Sequence, residues 1–168
     1  MSNSDPHILR KHSDFLTGLN ESELEQLVRD GKQMNVSAGE VVLETGQEVE
    51  EAYLLLEGML AVLVPRDWGE SRILYEVDVG SVIGEIEILR GGHCMAEVRA
   101  LMDSRLLCLP RNTFEHLLES HEDVWLELSG LACKRTCQLL MAQQLSTLFG
   151  TARMEISDPL LRLQAEGE

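Results

Sequence analysis

Ile83-Gly84-Glu85-Ile86-Glu87-Ile88-Leu89-Arg90-Gly91-Gly92-His93-Cys94-Met95-Ala96-Glu97-Val98-Arg99-Ala100 is the stretch whose reading decides the fold. It starts at the end of a short apolar run and finishes in an alternating one. Between them, Gly84–Leu89 reads as a helical turn and Arg90-Gly91-Gly92 as a glycine-rich bend. A short helix whose first amides face a glycine-bordered bend is a ready anion site.

Upstream, the apolar pattern has a period of two. Short runs at 33–36, 41–44, 52–57, 60–65, 71–77 and 81–83 alternate with turn signals, and single glycines stand at 39, 46, 58, 69 and 80. Even spacing of short strands predicts a closed or double-sheet β architecture, with the glycines at corners that need positive φ or close backbone approach. Ahead of the strands, Asn20 with Glu23 forms a capping-box signal, Leu24, Leu27 and Val28 follow at helical spacing, and Gly31 ends that helix.

Downstream, 104–110 reads as the last strand. Asn112 with Glu115 predicts a capped helix through Ser120, and His121-Glu122-Asp123 opens a longer one. Val124, Leu128, Leu131, Leu139, Ala142, Leu145 and Phe149 recur along it at three- and four-residue spacing, thickened by Trp125, Leu126, Cys133, Cys137 and Leu140. A helix apolar on more than one face must pack against its own domain and against something else. The series Leu128, Leu131, Arg135, Gln138, Ala142, Leu145 and Phe149 alternates three and four, the spacing of a coiled-coil seam, so the expectation is a homodimer through Val124–Phe149. Gly150 is expected to stop the helix. The organisation is therefore read as an N-terminal helix and β-roll over 1–122, a long C-terminal dimer helix over 123–150, and a tail over 151–168.

Ile83–Ala100 resembles the phosphate-binding cassette of the cyclic-nucleotide-binding domain, shared by catabolite activator proteins and kinase regulatory subunits. That pattern runs G-E-hydrophobic-A-L, a short loop, then R-A/S-A-T/S-V-x-A. Gly84, Glu85, Ile86, Ile88, Ala96, Val98 and Ala100 match it. Weaker matches at Ala38–Glu40, Gly46, Tyr53–Gly58 and Val79-Gly80 fall in the family's order, and the resemblance extends over about Phe15 to Phe149. It implies a mainly β fold with flanking α: a double-stranded β-helix, or jelly roll, with a long C-terminal helix. It also implies that Glu85 binds a ribose 2′-hydroxyl while Gly84 admits the sugar. Read from the residues alone, Glu85 instead places its charge at the helix N-terminus.

The phosphate-facing residues depart from the family. Cys94 stands where the pattern has arginine, Glu97 where it has Thr or Ser, and Glu87 where it has a small residue. A thiol offers one weak donor where arginine offers a charged fork. Arg90 and Arg99 are the candidates to substitute for it. The candidate ligand-binding set is Gly84, Glu85, Ile86, Arg90, Gly91, Gly92, His93, Cys94 and Glu97. His93-Cys94, and the pair Cys133 and Cys137 one helical turn apart, carry a redox or metal-sensor alternative, although no C-x-x-C pair occurs. The bland reading makes Cys108, Cys133 and Cys137 small apolar filling and leaves His93 a loop residue.

The 168 residues suffice for one domain with a real core. A net charge of −15 disfavours nucleic acid and anionic membranes as partners. Only 18 residues follow Gly150, too few for a three-helix DNA reader. No secretory leader or membrane-spanning run is read, so the expected compartment is the cytoplasm with reduced thiols. No Ser-His-Asp order, Walker loop or H-E-x-x-H occurs. The expectation is thus a non-enzymatic regulatory or dimerisation module without a cofactor or metal. Its altered cassette binds another small ligand or a protein partner instead of cyclic AMP. An atypical cyclic AMP or cyclic GMP sensor is the alternative.

Overall fold

The computed structural model describes residues 15–65 and 69–165, with side chains of the last helix described through Leu145. A 3-10 turn, Phe15–Gly18, leads into helix α1, Glu21–Asp30. Asn20 caps α1 as expected: its Oδ1 accepts from the Glu23 amide at 3.0 Å, and the Asn20 amide donates back to Glu23 Oε2 at 2.8 Å. Gly31 ends α1, but with an extended backbone rather than a left-handed one. A Cβ there would lie 2.4 Å from Leu107 Cδ1, so that glycine serves close approach to the sheet.

Strands β1 (Lys32–Val36), β2 (Val41–Leu43), β3 (Glu51–Glu57), β4 (Leu60–Pro65), β5 (Ser71–Val77) and β6 (Val82–Ile83) follow. After them come the short helix α2 (Glu85–Arg90), β7 (Glu97–Ala100), β8 (Ser104–Pro110), α3 (Arg111–Ser120) and α4 (Glu122–Ala165). The strands form two antiparallel four-stranded sheets, ordered β1-β8-β3-β6 and β2-β7-β4-β5. This is the double-sheet β architecture that the alternating pattern predicts, in the jelly-roll form with flanking helices that the resemblance implies. Leu54, Leu55 and Leu56 are buried in succession, because β3 lies inside its sheet with the roll interior on one face and helices on the other. Phe114 of α3 and Leu16, Leu19, Val124 and Leu128 complete that outer layer.

Three expectations need correction. Asn112 is not the cap of α3: Pro110 occupies that position, and the Arg111 amide is satisfied by the Glu50 carbonyl at 2.8 Å. The strand end carries the chain straight into the helix, so a tertiary partner replaces the side-chain cap. Second, α4 continues through Gly150 to Ala165. One interior glycine costs about 1 kcal/mol relative to alanine and leaves the backbone hydrogen bonds intact.

Third, the heptad face read as a dimer seam lies partly against the chain's own domain. Val124, Leu128, Arg135 and Ala142 are buried there and Leu131 is half-buried, while Gln138 and Leu145 are exposed; the Phe149 side chain lies outside the described residues. The helix carries two apolar stripes on opposite sides, and the roll takes this one. Trp125, Leu126, Cys133, Cys137, Leu140 and Met141 remain exposed.

Gly58 tests the corner argument. Its φ is +96°, and a Cβ would stand 2.2 Å from Ser104 Oγ and 2.7 Å from the Asp103 carbonyl oxygen. Gly46 has φ +86° but open space around it. Gly58→Ala is expected to lower stability by about 3–5 kcal/mol through strain plus overlap. Gly46→Ala should cost only about 1–2 kcal/mol of backbone strain. Urea unfolding of both variants measures the difference, and equal losses would refute the role of the Ser104 contact.

Candidate functional site

The cassette is assembled by a glycine that no other residue can replace. Gly84 adopts φ +82° at the start of α2, and a Cβ on it would sit 2.9 Å from the Glu51 carbonyl oxygen and 3.1 Å from Val49 Cγ1. Both the left-handed backbone and the tight approach to β3 require its bare Cα. This turn aims the first residues of α2 into the roll: Glu85, Ile86, Glu87 and Ile88 are all buried.

Glu85, 1% exposed, pairs with Arg135, 7% exposed, from α4. Arg135 Nη1 lies 2.5 Å from Glu85 Oε1 and also donates to the Val82 carbonyl at 2.6 Å. The guanidinium carbon lies 5.5 Å from the centre of the Tyr75 ring, within cation–π range. Burial pushes the Glu85 carboxyl above its ordinary range, against the lowering pull of Arg135. Burial likewise raises Tyr75 to about 12, so the phenol stays protonated.

Beyond Glu85 the lining turns acidic and neutral. Glu87 is buried, and its Oε1 accepts from the Met95 amide at 3.4 Å, tying α2 to the segment that enters β7. Cys94 is buried, and its thiol donates to the Ala96 carbonyl at 2.9 Å. Burial raises its pKa to about 11, so it presents neither a cation nor a thiolate. Backbone bonds of 2.8 Å from the Gly46 amide to the Cys94 carbonyl, and from the Cys94 amide to the Gln47 carbonyl, hold it in place.

The cavity between these groups is about 30 Å³, bounded by Tyr75, Glu85, Glu87, Cys94, Arg135 and Leu139 among others. That is room for about one water molecule, far below the several hundred Å³ of a drug-sized ligand pocket. Arg135 and Leu139 reach it from α4, so the long helix forms part of its wall.

The sequence-selected residues divide clearly. Gly84, Glu85, Ile86 and Cys94 line the cavity. Arg90 is exposed and donates at 3.4 Å to the His93 carbonyl, over the bend formed by Gly91 and Gly92. His93 is exposed, and its backbone pairs antiparallel with that of Glu48. Glu97 and Arg99 share the outer face of β7 and pair with each other at 2.6 Å, while Val98 and Ala100 face inward. Neither Arg90 nor Arg99 enters the cavity; the arginine that does is Arg135, which the heptad spacing had assigned to the seam. Glu87, Tyr75 and Leu139 were also missed as lining residues. The signal for Arg135 was available: a cation inside a buried apolar stripe needs a buried counter-charge, and Glu85 and Glu87 alternate with isoleucines in the cassette turn. Cys94 and Cys108 are buried in the roll while Cys133 and Cys137 are exposed on α4.

Residues 33–121 match the model of the cyclic nucleotide-binding domain. The chain is 29% identical over 107 residues to lysophospholipase NTE1 of Chaetomium globosum, a match covering 64% of this chain and 7% of that protein. The chain thus spans a small fraction of the curated relatives it matches. Among solved structures, the regulatory subunit of a cAMP-independent protein kinase A from Trypanosoma cruzi, bound to guanosine, is similar at 27% identity and TM-score 0.67, over 84% of this chain and 50% of that one. The Thermus thermophilus catabolite activator protein shares the fold at TM-score 0.67 and 24% identity, over 93% of this chain and 73% of that one.

Arg135→Met leaves Glu85 buried without its cation and is expected to cost about 3–5 kcal/mol at pH 8. The lone carboxyl then titrates still higher. A folded-state pKa above the unfolded one means that the folded chain holds more protons, so stability falls as pH rises from the ordinary value of 4.5 upward. The loss should therefore shrink between pH 8 and pH 5, and Glu85→Leu combined with Arg135→Met should recover most of it. Urea unfolding at the two pH values measures this; a pH-independent loss would mean that Glu85 is effectively solvated.

Proposed function

The chain belongs to the cyclic nucleotide-binding domain family, and from that premise we propose that it is a non-enzymatic regulatory module whose cassette takes an uncharged nucleoside rather than a cyclic nucleotide. The observation that carries this reading is the pair of buried carboxylates, Glu85 and Glu87, beside a protonated Cys94, with Arg135 as the one cation among the described lining residues and already paired with Glu85. A cyclic phosphate held here would bring a further negative charge towards Glu87. At about 4 Å, like charges in a partly buried site cost roughly 4 kcal/mol at an effective dielectric of 20. A nucleoside brings no charge. Its ribose diol donates to Glu85, as the family's ribose hydroxyl does to its glutamate, and its primary hydroxyl donates to Glu87 where a phosphate would have been repelled. The guanosine-bound T. cruzi subunit, named as independent of cyclic AMP, supports the same ligand class.

Ligand entry requires α4 to yield, since the cavity holds only about 30 Å³ and Arg135 and Leu139 of α4 line it. Glu85 then exchanges Arg135 for the ribose, so occupancy is coupled to the position of α4. A regulatory module needs such an output element.

Thermal denaturation with guanosine, adenosine, cyclic AMP and cyclic GMP tests the ligand class. At a hundredfold excess over its dissociation constant, a ligand adds about 2.7 kcal/mol, which is about 5–10 °C for a chain of this size. A rise is expected with a nucleoside and none with the cyclic nucleotides at sub-millimolar concentration. Glu87→Ala combined with Cys94→Arg is expected to reverse that order. A clear rise with cyclic AMP in the unmodified protein refutes the reading in favour of an atypical cyclic-nucleotide sensor.

We further propose that α4 mediates a homodimer through its outward stripe, where Leu126 and Met141 are each 64% exposed. Apolar side chains along an uncovered helix face favour a partner. Sedimentation at tens of micromolar is expected to give a dimer. Leu126→Asp with Leu140→Asp should give a folded monomer, and a monomeric unmodified protein would end the idea.

A further inference from the structure

The outward stripe of α4 carries chemistry that the ligand site does not use. Leu126, Gly130, Cys133, Cys137, Leu140 and Gln144 follow one another at intervals of four, three, four, three and four residues. That is the repeat of a parallel two-stranded seam, in which each core residue faces its own copy. The charge pattern fits a second copy as the occupant. The chain has 29 acidic residues and a net charge of −15, yet no Asp or Glu occurs from Leu128 to Met154. Two copies repel each other over most of their surfaces and least along this helix.

Both thiols on the stripe are free and exposed, whereas Cys94 and Cys108 are buried in the roll. Gly130 occupies the seam layer just before Cys133, and a Cβ added to it would meet nothing within 4 Å. Lacking a side chain, that layer lets the two helices approach most closely beside Cys133. A disulfide needs about 3.5–4.5 Å between Cβ atoms, so the closest layer is the one that can be bridged.

We propose that α4 is a thiol switch in which Cys133 forms a disulfide with Cys133 of a second copy. This rests on the homodimer reading above and is independent of the ligand class. The oxidant is a low-molecular-weight disulfide such as oxidised glutathione. One Cys133 thiolate attacks it, releases one glutathione thiol and forms a mixed disulfide. The second Cys133 thiolate displaces the other glutathione, and the two protons lost from the protein thiols pass to the two glutathione thiolates. The protein is oxidised by two electrons and the small disulfide is reduced by two. Arg135 lies two residues beyond Cys133 and points the opposite way, onto Glu85. The cross-link therefore pins the helical turn that closes the cavity.

The test uses the full chain, treated with oxidised glutathione and unfolded in detergent without reductant. A species of doubled mass is expected, reversible by dithiothreitol. It should persist in Cys137→Ser and in Cys94→Ser/Cys108→Ser, and disappear in Cys133→Ser. Sedimentation of the unmodified protein and of Cys133→Ser under reducing conditions reads the non-covalent dimer separately. A reduced dimer that gives no cross-link overturns the switch and leaves the homodimer standing, whereas a reduced monomer overturns both. A cross-link lost in Cys137→Ser but kept in Cys133→Ser overturns the assignment to Cys133. Glutathione adducts on monomers, detected by mass spectrometry without doubled mass, overturn the proposal as well.

Discussion

The Arg135–Glu85 pair is the interaction on which the rest of the structure depends. It joins the only long helix among the described residues to the first turn of the cassette, fifty positions away in sequence. Taking two charges out of water costs several kcal/mol per ion, repaid only by close geometry and further hydrogen bonds. Here the repayment comes from the Glu85 carboxylate, the Val82 carbonyl and the face of Tyr75. An apolar pair of equal volume could hold the helix as well or better. What the ion pair adds is direction: it fixes which turn of the helix meets the start of the cassette, because one guanidinium has to meet one carboxylate.

The cassette shows how one fold holds different chemistry. Gly84 and the buried start of α2 keep the backbone of the cassette turn. The side chains around it supply carboxylates and a protonated thiol instead of a guanidinium. Main-chain geometry sets the shape of the turn, while side-chain identity sets the charge around it. The two are separable because the turn is held by Gly84 and by the bonds linking Gly46, Gln47 and Cys94, none of which depends on the charge at Glu87.

Helix α4 carries two apolar stripes, one packed against the roll and one exposed. Its inner stripe runs through Ala132, Arg135, Leu139 and Ala142, where the arginine interrupts the apolar series and enters the ion pair. Its outer stripe keeps Leu126, Leu140 and Met141 exposed. Both stripes have heptad-like spacing, so the turns that line the cavity also carry the exposed apolar face. No helix among the described residues is long and apolar enough to cross a membrane.

Much of this was legible in the sequence. Period-two runs separated by single glycines determined the strands, since a half-buried strand must alternate and its corners need positive φ at Gly39, Gly46, Gly58, Gly69 and Gly80. The Asn20–Glu23 cap is local hydrogen bonding and could be read directly. The replacement of the cassette arginine by Cys94 was equally visible, because it is a matter of residue identity. What only the tertiary structure decided is orientation: that Glu97 turns outward to Arg99 while Glu87 turns in, and that Arg135 enters the cavity instead of the seam. Spacing along a helix defines its stripes but not which one meets the roll, because both stripes are apolar. That choice is made where the chain comes back on itself, and the energy of a buried ion pair belongs to two residues that the sequence keeps apart.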